Sequence, residues 1–328
     1  MKEARYYEQL DKGFVQCRLC PKACRIADGR AGVCLGRVNS GGKLYCESYG
    51  KVVSMAMDPI EKKPLFHFYP GTQILSVATY GCNLSCPFCQ NSEISKQRVE
   101  GRETTPGQLV ELARQNDSPG VCFTYTEPLV WFEYLMDACP QVRAAGLKNV
   151  LVTNGMINDE PLRELLPFVD AMNIDLKSIR PQFYSDFIGG DLETVKNTIR
   201  IARRECHIEL TNLIIPGKND SETELKELVE FVAGLGRDTV LHFSRYFPHF
   251  RCDAPATPVA TLERAYLIAR KRLDYVYLGN VAGEPAQSNT CCPECGNLLV
   301  ERYFFSARVK GIQNAKCRKC GRPVDMVL

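Results

Sequence analysis

The sequence predicts an α/β fold in which a run of parallel βα units forms a complete or partial barrel, with a cysteine-rich region at each end. Three observations carry this expectation. Between about residues 71 and 283, apolar runs of strand length alternate with amphipathic stretches of helix length. Before residue 70 the chain has a cysteine cluster, short alternating strands and turns such as Asn39-Ser40-Gly41-Gly42, with few helix signals. From 284 onward, two cysteine pairs follow. The expected domains are a cysteine-rich cap over 1–70, a core over 71–283 and a small metal-binding module over 284–328.

The core strands are expected at Ile74–Thr79, Val121–Tyr125, Val150–Thr153, Ala171–Leu176, His207–Leu213 and Val240–Phe243. Helices over Pro106–Gln115, Leu192–Arg204 and Glu222–Val232 follow Thr104-Thr105, Asp191 and Asp220-Ser221, whose side-chain oxygens can cap a first helical turn. A last helix near Leu262–Leu273 leads to Tyr275–Leu278, a candidate further strand. In such a series ligands gather at the C-terminal ends of the strands.

With 328 residues and 45% apolar composition, the chain can bury a sizeable core. Its 41 basic residues against 38 acidic ones leave a net charge of +3, too even a balance to single out a polyanionic partner. Nucleic acid is neither implied nor excluded. The N-terminus, Met1-Lys2-Glu3-Ala4-Arg5-Tyr6-Tyr7, lacks the apolar core of a signal peptide, and no apolar stretch approaches bilayer-spanning length. A cytoplasmic location without a membrane partner is expected.

In that setting the 17 cysteines point to metals in preference to disulfides. Eleven fall into three groups: Cys17, Cys20, Cys24 and Cys34; Cys82, Cys86 and Cys89; Cys292, Cys295, Cys317 and Cys320. Cys46, Cys122, Cys139, Cys206, Cys252 and Cys291 are scattered and are expected to be small buried hydrophobes.

Immediately after the first core strand the chain reads Gly81-Cys82-Asn83-Leu84-Ser85-Cys86-Pro87-Phe88-Cys89-Gln90-Asn91, a C-x3-C-x2-C loop. A cubane [4Fe–4S] cluster usually takes four thiolates, so three leave one iron open to an outside ligand. Zinc favours paired C-x2-C units instead. The loop resembles the radical S-adenosylmethionine (SAM) signature, which makes Cys82, Cys86 and Cys89 the catalytic cluster ligands. In that chemistry SAM chelates the open iron through its amino and carboxylate groups. An electron from the cluster then enters the sulfonium, and the resulting 5′-deoxyadenosyl radical abstracts hydrogen from a substrate.

Polar residues close the later strands: Tyr125-Thr126-Glu127-Pro128, Thr153-Asn154-Gly155 and Asn173-Ile174-Asp175-Leu176-Lys177. Period-two alternation places Asn173, Asp175 and Lys177 on one face, where a carboxylate and an ammonium suit a zwitterion such as the methionine end of SAM, or form an internal ion pair. On the fifth strand His207, Glu209 and Thr211 share a face. The sixth gives His242-Phe243-Ser244-Arg245-Tyr246, with His242 and Arg245 on opposite faces unless the strand ends between them. Asn280 either contacts a nucleoside or shapes a turn.

With Cys17-Arg18-Leu19-Cys20-Pro21, Asp58-Pro59-Ile60-Glu61-Lys62-Lys63-Pro64-Leu65 and the closing cysteine pairs, these motifs resemble the radical SAM member of the AmmeMemoRadiSam system over nearly the whole chain. That family is itself similar to activating enzymes of glycyl-radical enzymes such as pyruvate formate-lyase. The resemblance implies a partial (β/α)6 barrel, a SAM-bound [4Fe–4S] cluster, a reductant such as ferredoxin or flavodoxin, and association with Memo-like and AMMECR-like proteins. The candidate cofactor-binding residues are then Phe88, Glu127, Asn154, Asp175, Lys177, His242 and Arg245. Two departures bear on the substrate. The Gly-Gly-Glu-Pro of the activating enzymes is Tyr125-Thr126-Glu127-Pro128 here, and their Asp-Thr-Asn-Gly is Val152-Thr153-Asn154-Gly155. A glycyl-loop substrate therefore does not follow from the shared barrel, and activase remains the alternative.

At the C-terminus, Cys292-Pro293-Glu294-Cys295-Gly296 and Cys317-Arg318-Lys319-Cys320-Gly321 form two C-x2-C-G knuckles, a zinc-ribbon layout with rubredoxin-like iron as second choice. Arg302, Arg308, Lys310 and Lys316 with Tyr303, Phe304 and Phe305 fit RNA contact or a solvated basic face equally well. The N-terminal C-x2-C-x3-C-x9-C group fits neither a standard ribbon nor a standard ferredoxin run; an auxiliary iron–sulfur cluster and a structural zinc stand level, with unligated thiols third. A noncatalytic metal-bearing RNA-binding module would explain the terminal cysteines but not the three-cysteine loop.

Overall fold

The computed structural model describes residues 1–281 and 286–328, so the expected domain boundary at 283/284 lies outside the described residues. Its centre is one eight-stranded sheet: β1 (Ser54–Pro59), β2 (Gln73–Ala78), β3 (Gly120–Phe123), β4 (Lys148–Thr153), β5 (Ala171–Asp175), β6 (His207–Ile214), β7 (Val240–Arg245) and β8 (Val276–Gly279). Spatial order equals chain order, and every pair from β2 to β8 is parallel. Each crossover thus steps one strand onward in the same direction, which is barrel winding. β1 and β8 are not paired, and the barrel stays open.

The candidate further strand forms, while the boundary of the cap differs from the expectation. Residues Val276–Gly279 make a seventh parallel strand, pairing Leu241 with Val276 and Ser244 with Gly279. The cap gives up β1, which pairs antiparallel with β2 from Ser54 opposite Ala78 to Pro59 opposite Gln73. Ser-Met-Ala-Met-Asp-Pro has no β-branched or aromatic residue, so its strand character comes from the edge it completes, not from propensity.

The helices are α1 (Pro106–Gln115), α2 (Phe132–Ala144), α3 (Asp159–Leu165), α4 (Leu192–Glu205), α5 (Glu222–Ala233) and α6 (Val259–Arg270). Thr105 caps α1 in a reciprocal box with Gln108, Asp191 Oδ2 accepts from Thr194 N at 2.7 Å, and Ser221 Oγ accepts from Glu224 N at 3.3 Å. Along α4, Leu192, Val195, Ile199 and Ala202 are buried at helical spacing, each large side chain contributing about 1.5–3 kcal/mol. They join the outward-facing Met172, Ile174 and Leu176 in the main core.

The opposite sheet face is layered. At its base Ile74, Cys122, Val150 and Ala171 pack on Ile60, Leu65 and Phe68 from the β1–β2 connection, which plugs the barrel. Two residues further along β5 the same face becomes Asn173, and then Asp175. The polar layer therefore lies at the C-terminal strand ends, above an apolar plug.

The N-terminal strands dock on the core through Arg37, whose guanidinium donates to both Glu133 carboxylate oxygens at 3.0 Å with both side chains buried. The C-terminal strands Thr290–Cys291, Leu298–Tyr303 and Ser306–Val309 form a small antiparallel sheet. Of the scattered cysteines, Cys291 is exposed, contrary to expectation. Among the described residues no helix is long and apolar enough to cross a membrane.

Candidate active site

The C-x3-C-x2-C loop leaves β2 at the C-terminal edge of the sheet. Gly81 has φ +96°, and a Cβ there would stand 2.1 Å from the Cys34 carbonyl oxygen, so only glycine lets the loop pass beneath the cap. Gly81 N donates to Ile94 O at 2.9 Å, and Ser85 N donates to Ile188 O at 2.8 Å. Cys82, Cys86 and Cys89 all face a cavity of about 610 Å³. Leu84 N and Asn154 Nδ2 lie 3.4 and 3.5 Å from Cys82 Sγ, and Ser95 Oγ lies 3.1 Å from Cys89 Sγ. Burial first, then the nearby Glu127, pushes the Cys82 thiol up to about 12, and burial likewise raises Cys86. Such thiols suit ligation, because a bound cation supplies the charge that makes thiolate favourable.

Glu127 is fully buried before the turn Pro128–Trp131. Its Oε1 accepts from Thr153 Oγ1 at 2.6 Å and Leu129 N at 3.0 Å, while Oε2 accepts from Asn154 N at 2.8 Å. It thereby ties the end of β3 to the end of β4 and aims Asn154 at Cys82. Burial raises its carboxyl to about 7 against those hydrogen bonds.

Lys177 and Asp175 form an ion pair of 2.8 Å on the cavity wall. Burial alone would lower the Lys177 ammonium, but Asp175 outweighs it and the group is held well above its ordinary value. Phe88 is buried against Phe183 and Phe187. His242 lines the cavity with Nε2 2.6 Å from Glu209 Oε2. That carboxylate also accepts from Phe66 N at 2.9 Å and His67 N at 2.7 Å, and His207 Nε2 lies 3.1 Å away. Burial would raise Glu209, but its hydrogen bonds with His207 and His242 hold it well below the usual range.

Arg245 is the expected residue that the structure does not bring to the cavity. β7 continues through it, so His242 and Ser244 face inward while Arg245 turns away and donates from Nε to Thr257 O at 2.7 Å. Asn280, at φ +60°, shapes a turn and also lines the cavity.

Several cavity residues lie outside the candidate cofactor-binding set. Tyr125 sits at φ +64°, a costly conformation for a tyrosine, and its hydroxyl donates to Asp58. Lys62 and Lys63 also donate to Asp58, at 2.9 and 2.6 Å. Burial would raise that carboxyl, yet these partners hold it well below the usual range. From the C-terminal region, Arg302, Phe304 and Phe305 also line the cavity. Arg302 is not part of a solvated basic face: it is buried, donates to Phe66 O at 2.6 Å and stacks over the Phe66 ring at 4.2 Å. Its alternation with the buried Val300 was the available signal.

Away from the cavity, Cys292, Cys295, Cys317 and Cys320 bring their sulfur atoms within 4.8 Å of one another, a four-cysteine metal site. Cys17, Cys20, Cys24 and Cys34 line a separate, smaller cavity.

A partly open parallel barrel with a three-cysteine loop at its mouth defines a class, and comparison with known proteins gives the same class. The profile of the Radical SAM superfamily matches residues 76–232. An uncharacterised protein of Methanocaldococcus jannaschii is 46% identical over the full length of both chains. A pyruvate formate-lyase-activating enzyme of Staphylococcus epidermidis is 24% identical over 51% of this chain and 71% of its own. Among solved structures, Streptococcus suis SuiB bound to SAM superposes with a TM-score of 0.52 at 14% identity, covering 68% of this chain and 53% of that one, a likeness of fold. The chain belongs to the radical SAM superfamily and is an enzyme of that family, which implies a [4Fe–4S] cluster and SAM.

Proposed function

We propose that this enzyme reductively cleaves SAM at a [4Fe–4S] cluster held by Cys82, Cys86 and Cys89, acting on a substrate bound in the 610 Å³ cavity. The carrying observation is that those three thiols line one cavity together with Asn154, Asp175 and Lys177. When bound, the cluster and SAM supply the electron and the 5′-deoxyadenosyl radical. The chain's own residues do the rest. Asp175 and Lys177 present opposite charges to the amino and carboxylate ends of a zwitterion. Glu127 acts as a positioning residue that fixes Asn154, and the buried Phe88 adds an aromatic side chain to the cavity lining. The apolar plug at the base of the barrel limits water access from below.

On this reading residues 1–70, 71–283 and 284–328 serve as cap, catalytic core and metal-bearing ribbon, except that β1 completes the core sheet. The motif resemblance supports a place in the AmmeMemoRadiSam system with Memo-like and AMMECR-like partners, a cytoplasmic setting, and a ferredoxin or flavodoxin as electron source. The test is anaerobic incubation of reconstituted protein with SAM and reductant. 5′-Deoxyadenosine should form and Cys86→Ala should abolish it; undiminished cleavage in that variant refutes the assignment.

A second reading, glycyl-radical activase, is favoured by the similarity to an activating enzyme over half the chain. The side chains at Tyr125, Phe304 and Phe305 argue against it, since they add bulk to the cavity that a partner's glycine loop would have to enter.

A further inference from the structure

The N-terminal cysteines have no part in the site described above. Cys17 ends the strand Val15–Cys17, Cys20 and Cys24 flank the turn into Arg25–Ile26, and Cys34 precedes Arg37–Ser40. All four line one cavity that Asn83 and Val130 of the core close.

Two contrasts within the molecule point to the ligand. Four Zn–S bonds of about 2.3 Å place tetrahedral sulfurs about 3.8 Å apart. The C-terminal thiols meet that requirement, with Cys292 to Cys320 at 3.6 Å and Cys295 to Cys317 at 3.7 Å. Among the described residues no other trio of cysteine, histidine or acidic side chains is as tight, so the N-terminal thiols are spread more widely around their shared cavity. Cys82, Cys86 and Cys89 likewise do not all lie within 4.8 Å of one another. The cavity between the N-terminal thiols also admits a water-sized sphere, whereas four sulfurs drawn to about 2.3 Å from one zinc ion leave no such space. A cubane, which puts each thiolate on its own iron, fits both facts.

We propose that Cys17, Cys20, Cys24 and Cys34 hold a second [4Fe–4S] cluster, ligated by four thiolates, that delivers electrons to the Cys82 loop. The two thiol sets are in direct structural communication. The Cys34 carbonyl packs on Gly81, the residue before Cys82. Asn83, on the wall of the N-terminal cavity, accepts from Asn154 Nδ2 at 2.9 Å, and that same nitrogen lies 3.5 Å from Cys82 Sγ. One electron from a low-potential one-electron carrier reduces the N-terminal cluster. It then passes to the cluster at Cys82, Cys86 and Cys89, and SAM sulfonium is its final acceptor; the N-terminal cluster returns to its oxidised state. Delivery rests on the radical SAM reading, and the cluster itself does not.

The experiment uses the full chain purified anaerobically with Cys82→Ala, Cys86→Ala and Cys89→Ala combined, which leaves the cap intact. It should retain about four irons and about four sulfides, with a reduced-cluster electron paramagnetic resonance signal indifferent to SAM. Absence of iron, or two zinc ions per chain, overturns the cluster. In the otherwise native chain, Cys17→Ala with Cys20→Ala should halve the iron, keep a SAM-responsive signal and slow reduction by flavodoxin at least about tenfold while dithionite reduction is unaffected. Unchanged flavodoxin kinetics overturns delivery. If that variant does not fold, the triple variant still decides the cluster. A native chain giving only a SAM-indifferent signal would refute the Cys82 assignment and leave the N-terminal cluster standing.

Discussion

Lys177 Nζ lies 2.8 Å from Asp175 Oδ2, two residues apart where β5 ends, so both side chains point into the cavity with their charges compensated. Lys177 also lies 5.9 Å from the centre of the Phe88 ring, which joins the pair to the cysteine loop. A compensated pair that remains partly solvent-accessible can exchange its partner for the two ends of a zwitterion at small cost.

Asp175→Ala and Lys177→Ala should each weaken SAM binding about tenfold or more, each tenfold being about 1.4 kcal/mol, with iron content unchanged. Equilibrium dialysis on the reconstituted protein measures it. Native affinity in both variants would reduce the pair to a structural role.

Much of this site could be read along the chain because its residues fall at the end of each strand. The short apolar runs of β3 to β6 indicated where those ends lie, and alternation indicated which face Asn173, Asp175 and Lys177 share. Contacts between distant segments were beyond that logic. Neither the Asp58–Tyr125 hydrogen bond nor the reach of Arg302 to Phe66 leaves a local trace, because each depends on how the β1–β2 connection and the C-terminal sheet dock on the barrel. Arg245 was misplaced for an instructive reason: a motif holds residues together in sequence, but a continuous strand sends odd spacings to opposite faces.

Glu61 should make stability depend on pH. Its Oε1 accepts from Gly71 N at 2.9 Å, Oε2 is unpartnered, and Arg302 Nε is 3.8 Å away. Burial dominates and raises the carboxyl to about 7, with Arg302 opposing. The folded state therefore keeps a proton that the unfolded chain releases above its ordinary value near 4.5. This contribution is complete below that value and is lost as pH rises through about 7. Glu61→Gln, which mimics the neutral form, should gain on the native protein by on the order of 2 kcal/mol between about pH 5 and about pH 8. Urea unfolding of both proteins at the two pH values tests this; a constant difference would refute it.

Removal of the C-terminal metal should loosen the cavity without emptying the cysteine loop. Cys292→Ser with Cys320→Ser should cost the chain one metal ion and leave the iron of the Cys82 loop unchanged. Because Arg302, Phe304 and Phe305 descend from the same small sheet, melting temperature should fall by several degrees, as about 1–2 kcal/mol of lost packing implies for a chain of this size. Metal analysis with calorimetry checks it, and native metal content in the variant would show that the four thiols do not bind an ion.

The remaining prediction is that the enzyme installs no glycyl radical. An activase has to admit a partner's backbone to the open edge of bound SAM. Here Tyr125 stands where activating enzymes have glycine, and it is held at φ +64° by hydrogen bonding to Asp58, itself clamped by Lys62 and Lys63. That clamp resists the movement needed to clear the wall. Val152, where those enzymes place a carboxylate, lines the same cavity, as do the bulky Phe304 and Phe305. Each feature favours a small or slender substrate over a protein loop. The protein is mixed anaerobically with SAM, reductant and a glycyl-radical protein from the same organism, and the radical is sought by electron paramagnetic resonance. No glycyl doublet should appear, although 5′-deoxyadenosine forms. A doublet that is lost with Cys82→Ala would make this chain an activase, and Tyr125→Gly should then strengthen it.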